Sequence, residues 1–169
     1  MFRMLKYVVI GISVPTSFMD CFASVARVDG TSMQPCLNSQ NSSTPDYVLL
    51  SRTAVRNLEF NRGDVVSVIS PKDPNQRIIK RIVGLEGDLI PTLGYNLKHV
   101  KVPEGHVWIE GDNSQNSLDS NNFGPVSVGL ITGKAVYILW PPQRYQKLDS
   151  KLPKTRLQSL LAKPLSVRE

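Results

Sequence analysis

The chain has 169 residues and a mass of 18.8 kDa, enough for one domain with a short appendage. Hydrophobic residues make up 41% and charged residues 20%, which supplies a core and excludes wholesale disorder; no internal repeat is present, which excludes solenoids and propellers. The net charge is +6, but residues 144–169 alone hold seven Lys/Arg against two Asp/Glu, so a basic tail is attached to a nearly neutral body, and the high pI says little for nucleic acid.

The first element in chain order is the apolar run Val8–Ala26, nineteen residues with one charge, Asp20. That is just long enough to span a bilayer as a helix. Arg3 and Lys6 precede it, so the positive-inside rule sends the body across the membrane. Other readings compete: a cleaved signal peptide ending at Ala23, Ser24 and Ala26, a buried core helix, or a mitochondrial targeting segment.

After residue 28 the pattern turns to short β-branched runs: Asp64–Ser70, Arg77–Leu85, His99–Val102, His106–Glu110, Val126–Ile131 and Lys134–Trp140. Gly, Pro, Asn and Asp clusters separate them, which predicts a mostly antiparallel β domain. Asn38–Pro45 reads as a polar loop, and the segment after Pro141-Pro142 as a basic surface tail with a helical turn or two. The predicted organisation is an anchor over 1–28, a catalytic body over 29–145 and a tail over 146–169.

Cys21 and Cys36, and His99 and His106, match no zinc or redox spacing, so neither metal nor cofactor is expected. Three other segments carry chemistry. In Gly30-Thr31-Ser32-Met33-Gln34-Pro35 a serine sits between a flexible approach and a fixed exit; by itself it reads as a serine in a turn. In Arg77–Asp88 (RIIKRIVGLEGD), Lys80 shares a strand face with Ile78 and Ile82. Facing inward, its ammonium is desolvated, its pKa falls, and a neutral lysine becomes a competent base; facing outward, it is an edge-strand lysine that deters aggregation. The third segment, Gly111–Pro125 (GDNSQNSLDSNNFGP), reads alone as a long surface loop with Asx and Ser turns.

Together, Ser-Met-x-Pro, then Lys-Arg-Ile-Val-Gly-x-x-Gly-Asp, then Gly-Asp-Asn-x-x-x-Ser-x-Asp-Ser resemble the type I signal peptidase family over roughly residues 29–142. Val25–Asn38, Ile78–Asp88 and Ile138–Leu148 are most similar to its mitochondrial inner membrane branch. The resemblance implies one N-terminal transmembrane anchor, a signal-peptidase-like β catalytic domain facing the intermembrane space, and a Ser/Lys dyad without metal or cofactor. It implies an extended presequence peptide as substrate, inner membrane lipid around the anchor, and a homologous second peptidase subunit as heterodimer partner. By position, Ser32 is the nucleophile and Lys80 the general base. Ser117 is the hydroxyl that holds the lysine amine, and Asp119 is a structural loop carboxylate. Gly30 and Met33 border the oxyanion and substrate-binding region.

The chain departs from the pattern twice. Gly30 stands where bacterial members often have an oxyanion-binding serine, so the oxyanion falls to backbone N–H, most simply that of Ser32. Asn121 stands where they commonly have the arginine that pairs with the aspartate, so that ion pair cannot form there. Two other classes differ: a catalytically silent anchored subunit, which would not need both Ser32 and Lys80, and a nucleic-acid-binding barrel, which would need clustered strand aromatics that are absent.

Overall fold

The computed structural model describes residues 22–40 and 44–161. It is mostly β, as the short β-branched runs predict. Ten strands follow in order: β1 Ala23–Arg27, β2 Tyr47–Ser51, β3 Val65–Ile69, β4 Arg77–Gly84, β5 Leu89–Pro91, β6 His99–Lys101, β7 His106–Glu110, β8 Val126–Ser127, β9 Ile131–Trp140 and β10 Gln146–Lys147. Three short α-helices punctuate them: α1 Thr53–Arg56, α2 Ser120–Phe123 and α3 Lys154–Leu161. Eight strands form one sheet in the order β1-β2-β9-β3-β4-β7-β8, with β10 on β9, while β5 and β6 form a hairpin. Every pairing is antiparallel.

Three apolar clusters fill the core. Val28, Met33, Leu37, Val48, Leu50, Val65, Ala135 and Ile138 pack where β1, β2 and β9 meet the Ser32 turn. Val66, Val68, Ile82, Val107, Ile109, Val126 and Ile131 pack along β3, β4 and β7. Val83, Ile90, Val100, Val102 and the fully buried Trp108 close the hairpin onto the sheet. Gly84 serves that closure: a Cβ there would lie 2.5 Å from Ile90 Cδ1.

The sequence pattern is corrected at both ends. Residues 1–21 of the expected anchor lie outside the described residues, and among the described ones no helix is long and apolar enough to cross a membrane. The end of the apolar run is not helical. Ala23–Arg27 pairs residue for residue with Tyr47–Ser51, and Arg52 N–H donates to the Phe22 carbonyl at 2.9 Å. Small and β-branched residues fit a pleated edge, and tertiary pairing overrides the hydropathy of the run. Val126–Ile131 is strand at Val126–Ser127, turns through a 3₁₀ segment over Val128–Leu130, and is strand again at Ile131, where β9 begins.

Over its described residues the basic tail packs on the body. Leu152 and Leu160 pack on the Trp108 cluster. The Ser150 hydroxyl bonds the buried Asp64 carboxylate, and Gly63 lacks a Cβ because one would strike the Ser150–Lys151 backbone at 2.6 Å. Hence residues 146–161 belong to the body.

Candidate active site

Ser32 occupies a tight turn between β1 and β2. The turn closes on itself through Gln34 N–H to the Thr31 carbonyl at 3.1 Å and Leu37 N–H to the Met33 carbonyl at 2.9 Å. Gly30 enters it at φ +87°, a region costly for any residue with a Cβ. Met33 is 3% exposed and anchors the turn in the first core cluster while lining the groove above it.

Sequence reasoning missed the buttress beneath. The Asn38 side chain donates to the Val28 and Gly30 carbonyls at 2.8 and 3.0 Å. Asn38 and Asp46 exchange backbone-to-side-chain bonds at 2.8 Å each way. The fully buried Asp46 carboxylate meets Arg144 Nη2 at 2.9 Å, and that guanidinium also donates to the Cys36 carbonyl. Asn38 and Arg144 lie within the segments quoted for their likeness, which was the available signal.

Lys80 lies on β4 just before the stretch that pairs with β7, faces inward and is 3% exposed. That burial excludes the reading of an exposed edge-strand lysine. Its Nζ stands 2.6 Å from Ser32 Oγ, a contact across 48 residues of chain. Burial pushes the Lys80 amine below its ordinary pKa, while the carboxylates of Asp119 and Asp112 pull it partly back. Its neighbour Arg81 is buried on the opposite face. It grips Asp112 with two parallel bonds of 2.7 Å and donates to the Gly63 carbonyl at 2.7 Å. Neither face of β4 is therefore solvated at this point.

Asp112 opens the loop between β7 and β8, so the Arg81 fork draws that loop over Ser32. Asn113 N–H donates to the Ser32 carbonyl at 3.0 Å, and its side chain reaches the Thr31 carbonyl at 3.3 Å. Gly111 makes the approach possible, because a Cβ there would stand 2.5 Å from the Ser32 carbonyl oxygen. Gly111→Ala should therefore push the Ser32 turn away from Lys80. A shift of about 1 Å is worth up to about 100-fold in turnover. Peptide cleavage and thermal melting of this variant should show a large loss of rate with a small loss of stability.

The structure brings Ser32 and Lys80 together and places Gly30 and Met33 beside them on one groove. Ser117 does not hold the lysine amine: its buried Oγ has no hydrogen-bond partner and lies beside Gly111. Asp119 caps α2 in a capping box with Asn122, and its second oxygen accepts from Gly111 N–H at 2.9 Å. Asn121 takes up part of the missing arginine's task. Its amide donates to Asp119 at 3.1 Å, and its oxygen accepts from Leu93 N–H at 2.7 Å, tying the loop to the β5–β6 hairpin.

A groove of about 370 Å³ runs past Ser32 and Lys80 between residues 27–33 and 76–80, with Asn116 and Leu118 at one end. Its walls are backbone edges. β7 pairs with β4 only from Arg81 onward, so among the described residues no strand lies beside Arg77–Lys80 on that side. Among the described residues the Ser32 N–H has no partner and borders the same groove. No cluster of His, Cys, Asp and Glu fit to hold a metal occurs among the described residues.

The sequence profile of the signal peptidase, peptidase S26 family matches residues 1–97 and 91–140. The chain is 54% identical over 147 residues to mitochondrial inner membrane protease subunit 2 of Danio rerio, covering 87% of this chain and 80% of that protein. It is 54% identical over 148 residues to the Homo sapiens protein of the same name, covering 88% and 85%. A signal peptidase I from Enterococcus faecalis aligns with a TM-score of 0.39 at 24% identity, over 45% of this chain and 96% of that one.

Proposed function

Because the chain belongs to the signal peptidase, peptidase S26 family, we propose that it is a membrane-anchored serine endopeptidase using a Ser32/Lys80 dyad. In this reading it removes sorting peptides from proteins delivered to the mitochondrial intermembrane space. The observation that carries the chemistry is the 2.6 Å contact between Ser32 Oγ and a lysine that burial biases toward the neutral amine. The location rests on the mitochondrial inner membrane proteases to which the chain is similar. Their designation as subunits supports a homologous second subunit as partner.

The groove suits an extended peptide. One edge of the peptide pairs with the unpaired backbone of Arg77–Lys80 and the other with the segment entering Ser32. Main-chain pairing tolerates varied sequences, and the side chains one and three positions before the cut share a face and meet the groove floor near Met33.

With Lys80 neutral, the Ser32 hydroxyl donates to Nζ. As Oγ bonds to the scissile carbonyl carbon, its proton passes to Nζ, and the Ser32 N–H receives the developing oxyanion. The ammonium then protonates the departing amine, leaving an acyl ester on Ser32. Water enters, gives its proton to Lys80 and attacks the ester. Ser32 leaves as the alkoxide and recovers that proton. Each step uses the chain's own groups, with no metal or cofactor.

The test compares N-termini of intermembrane-space proteins in cells lacking the chain, supplied with either the unsubstituted protein or Ser32→Ala. The unsubstituted protein should restore mature N-termini, while Ser32→Ala should leave unprocessed sorting peptides on the same subset. Restoration by Ser32→Ala would overturn the proposed nucleophile.

A further inference from the structure

We infer that Arg156, on the C-terminal helix α3, is a positioning residue for the Ser32–Lys80 site. It acts through Glu110 on the end of β7 that carries Gly111–Asn113. The inference rests on the reading of Ser32 and Lys80 as the reacting pair.

Arg156 is 6% exposed although it belongs to a strongly basic stretch of sequence. Its Nε and Nη2 grip the two Glu110 oxygens at 2.8 and 2.7 Å. Nη2 also reaches the Pro91 carbonyl at 2.6 Å, and Nη1 the Ser159 hydroxyl at 3.0 Å. Trp108 Nε1 completes the carboxylate at 2.8 Å. Glu110 is itself 5% exposed and stands directly opposite Arg81 in the β4–β7 register.

Two guanidinium–carboxylate forks therefore sit side by side, Arg81–Asp112 and Arg156–Glu110. Both line a single cavity of about 260 Å³ behind the catalytic loop. Glu110 and Asp112 flank Gly111, the residue against which the Ser32 carbonyl packs. One fork fixes the loop to the catalytic strand, and the other fixes the strand end to the C-terminal helix and the β5–β6 hairpin. The second joins three parts of the chain that share no main-chain ladder at that point.

Loss of Arg156 strands the Glu110 carboxylate in a site where an unpaired charge is strongly unfavourable. The end of β7 must then move to hydrate it. Gly111–Asn113 move with it, which loosens the Ser32 turn and admits water to Lys80. The charged groups around Lys80 are Asp112 and Asp119 from the loop and Arg81 on its own strand. β3 presents Val66 opposite it, and the Arg27–Asp29 pair sits at the groove rim. None of these is altered by the substitution, while the freed Glu110 carboxylate on β7 also acts on Lys80, so kcat on the alkaline plateau, where Lys80 is neutral in each variant, reports the geometry.

The experiment uses the full chain in detergent extracts, assayed below the melting temperature of every variant. Arg156→Leu should lower kcat by about 10- to 100-fold, the range for a small displacement of reacting groups. KM should stay within about twofold, because the groove walls that bind backbone lie elsewhere. The alkaline-rising limb of the pH profile should move upward as Lys80 is hydrated. Arg156→Lys, which keeps the charge but loses the fork, should recover part of kcat. Competitive acetylation of Lys80 across pH gives its titration independently of turnover. An upward move of that titration in Arg156→Leu shows that Arg156 sets the surroundings of Lys80, and activity of Ser32→Ala would overturn the dyad reading separately, so the two failures are distinguishable. A melting temperature that falls while kcat, KM and the Lys80 titration stay at their original values would overturn it and leave Arg156 a purely structural residue.

Discussion

Lys80→Met should yield a folded protein without detectable peptide cleavage. Methionine fills a similar volume and removes the amine that meets Ser32 Oγ. The variant should also melt higher than the unsubstituted protein at neutral pH. In the unfolded chain the lysine titrates near its reference value of about 10.4, whereas in the folded chain burial lowers it. The unfolded state thus binds more protons, and stability rises with pH across the window between the two values. Below the lowered pKa the full cost of burying the amine is present, and above the unfolded value it is gone. The gain from methionine should therefore be largest at neutral or acidic pH and fade in alkali. Activity of the unsubstituted enzyme should climb through the same lowered pKa as the neutral amine accumulates. Lys80→Arg should be inactive at every pH because a guanidinium keeps its proton. Cleavage assays and thermal melts from neutral to alkaline pH check all three statements. Near-normal turnover by Lys80→Met, or a pH limb at the value of a free lysine, would refute the assignment of Lys80 as base.

A second large effect is expected at the Arg81–Asp112 fork. Both side chains are 6% exposed, so Asp112→Ala leaves a buried, unpaired guanidinium at a cost of about 3–5 kcal/mol. Activity should fall with stability, because the fork holds Asn113 against the Ser32 carbonyl. The two effects separate in Arg81→Leu/Asp112→Leu. Replacing a buried pair by apolar side chains is often neutral for stability, so the melting temperature should largely return. The loop, no longer drawn to β4, should leave turnover low. Denaturant titration with peptide cleavage on the single and double variants reads both. Recovery of full activity along with stability would mean that the fork contributes only to folding.

Ser32 and Lys80 were legible because their motifs are local: a turn proline, a strand period of two and a glycine-rich exit can each be read over a dozen residues. The strands β3, β4, β6 and β7 were legible for the same reason. Less visible were the charges that hold the site. Asp46 and Arg144 meet across 98 positions, and Glu110 and Arg156 across 46, and no periodicity marks such partners. Arg156 was counted with a basic tail because composition sums charges without regard to what faces them. The expectation for Ser117 came from position in a motif. The structure buries that hydroxyl beside Gly111 without a hydrogen-bond partner. The partners of Asp119 are backbone amides and Asn121 rather than a cation, and no motif marks them.

The open edge at Arg77–Lys80 has a further consequence for self-association. Four residues of unpaired strand extend about 13 Å, enough to template another strand. A second copy of this chain offering β1 or its own open edge would block the groove. The rim answers with charge. Arg77 is exposed at one lip and the exposed Arg27–Asp29 ion pair lies at the other, so a second copy docking on this edge must desolvate charged side chains. Charge flanking an open strand edge disfavours strand-to-strand association between copies of the chain.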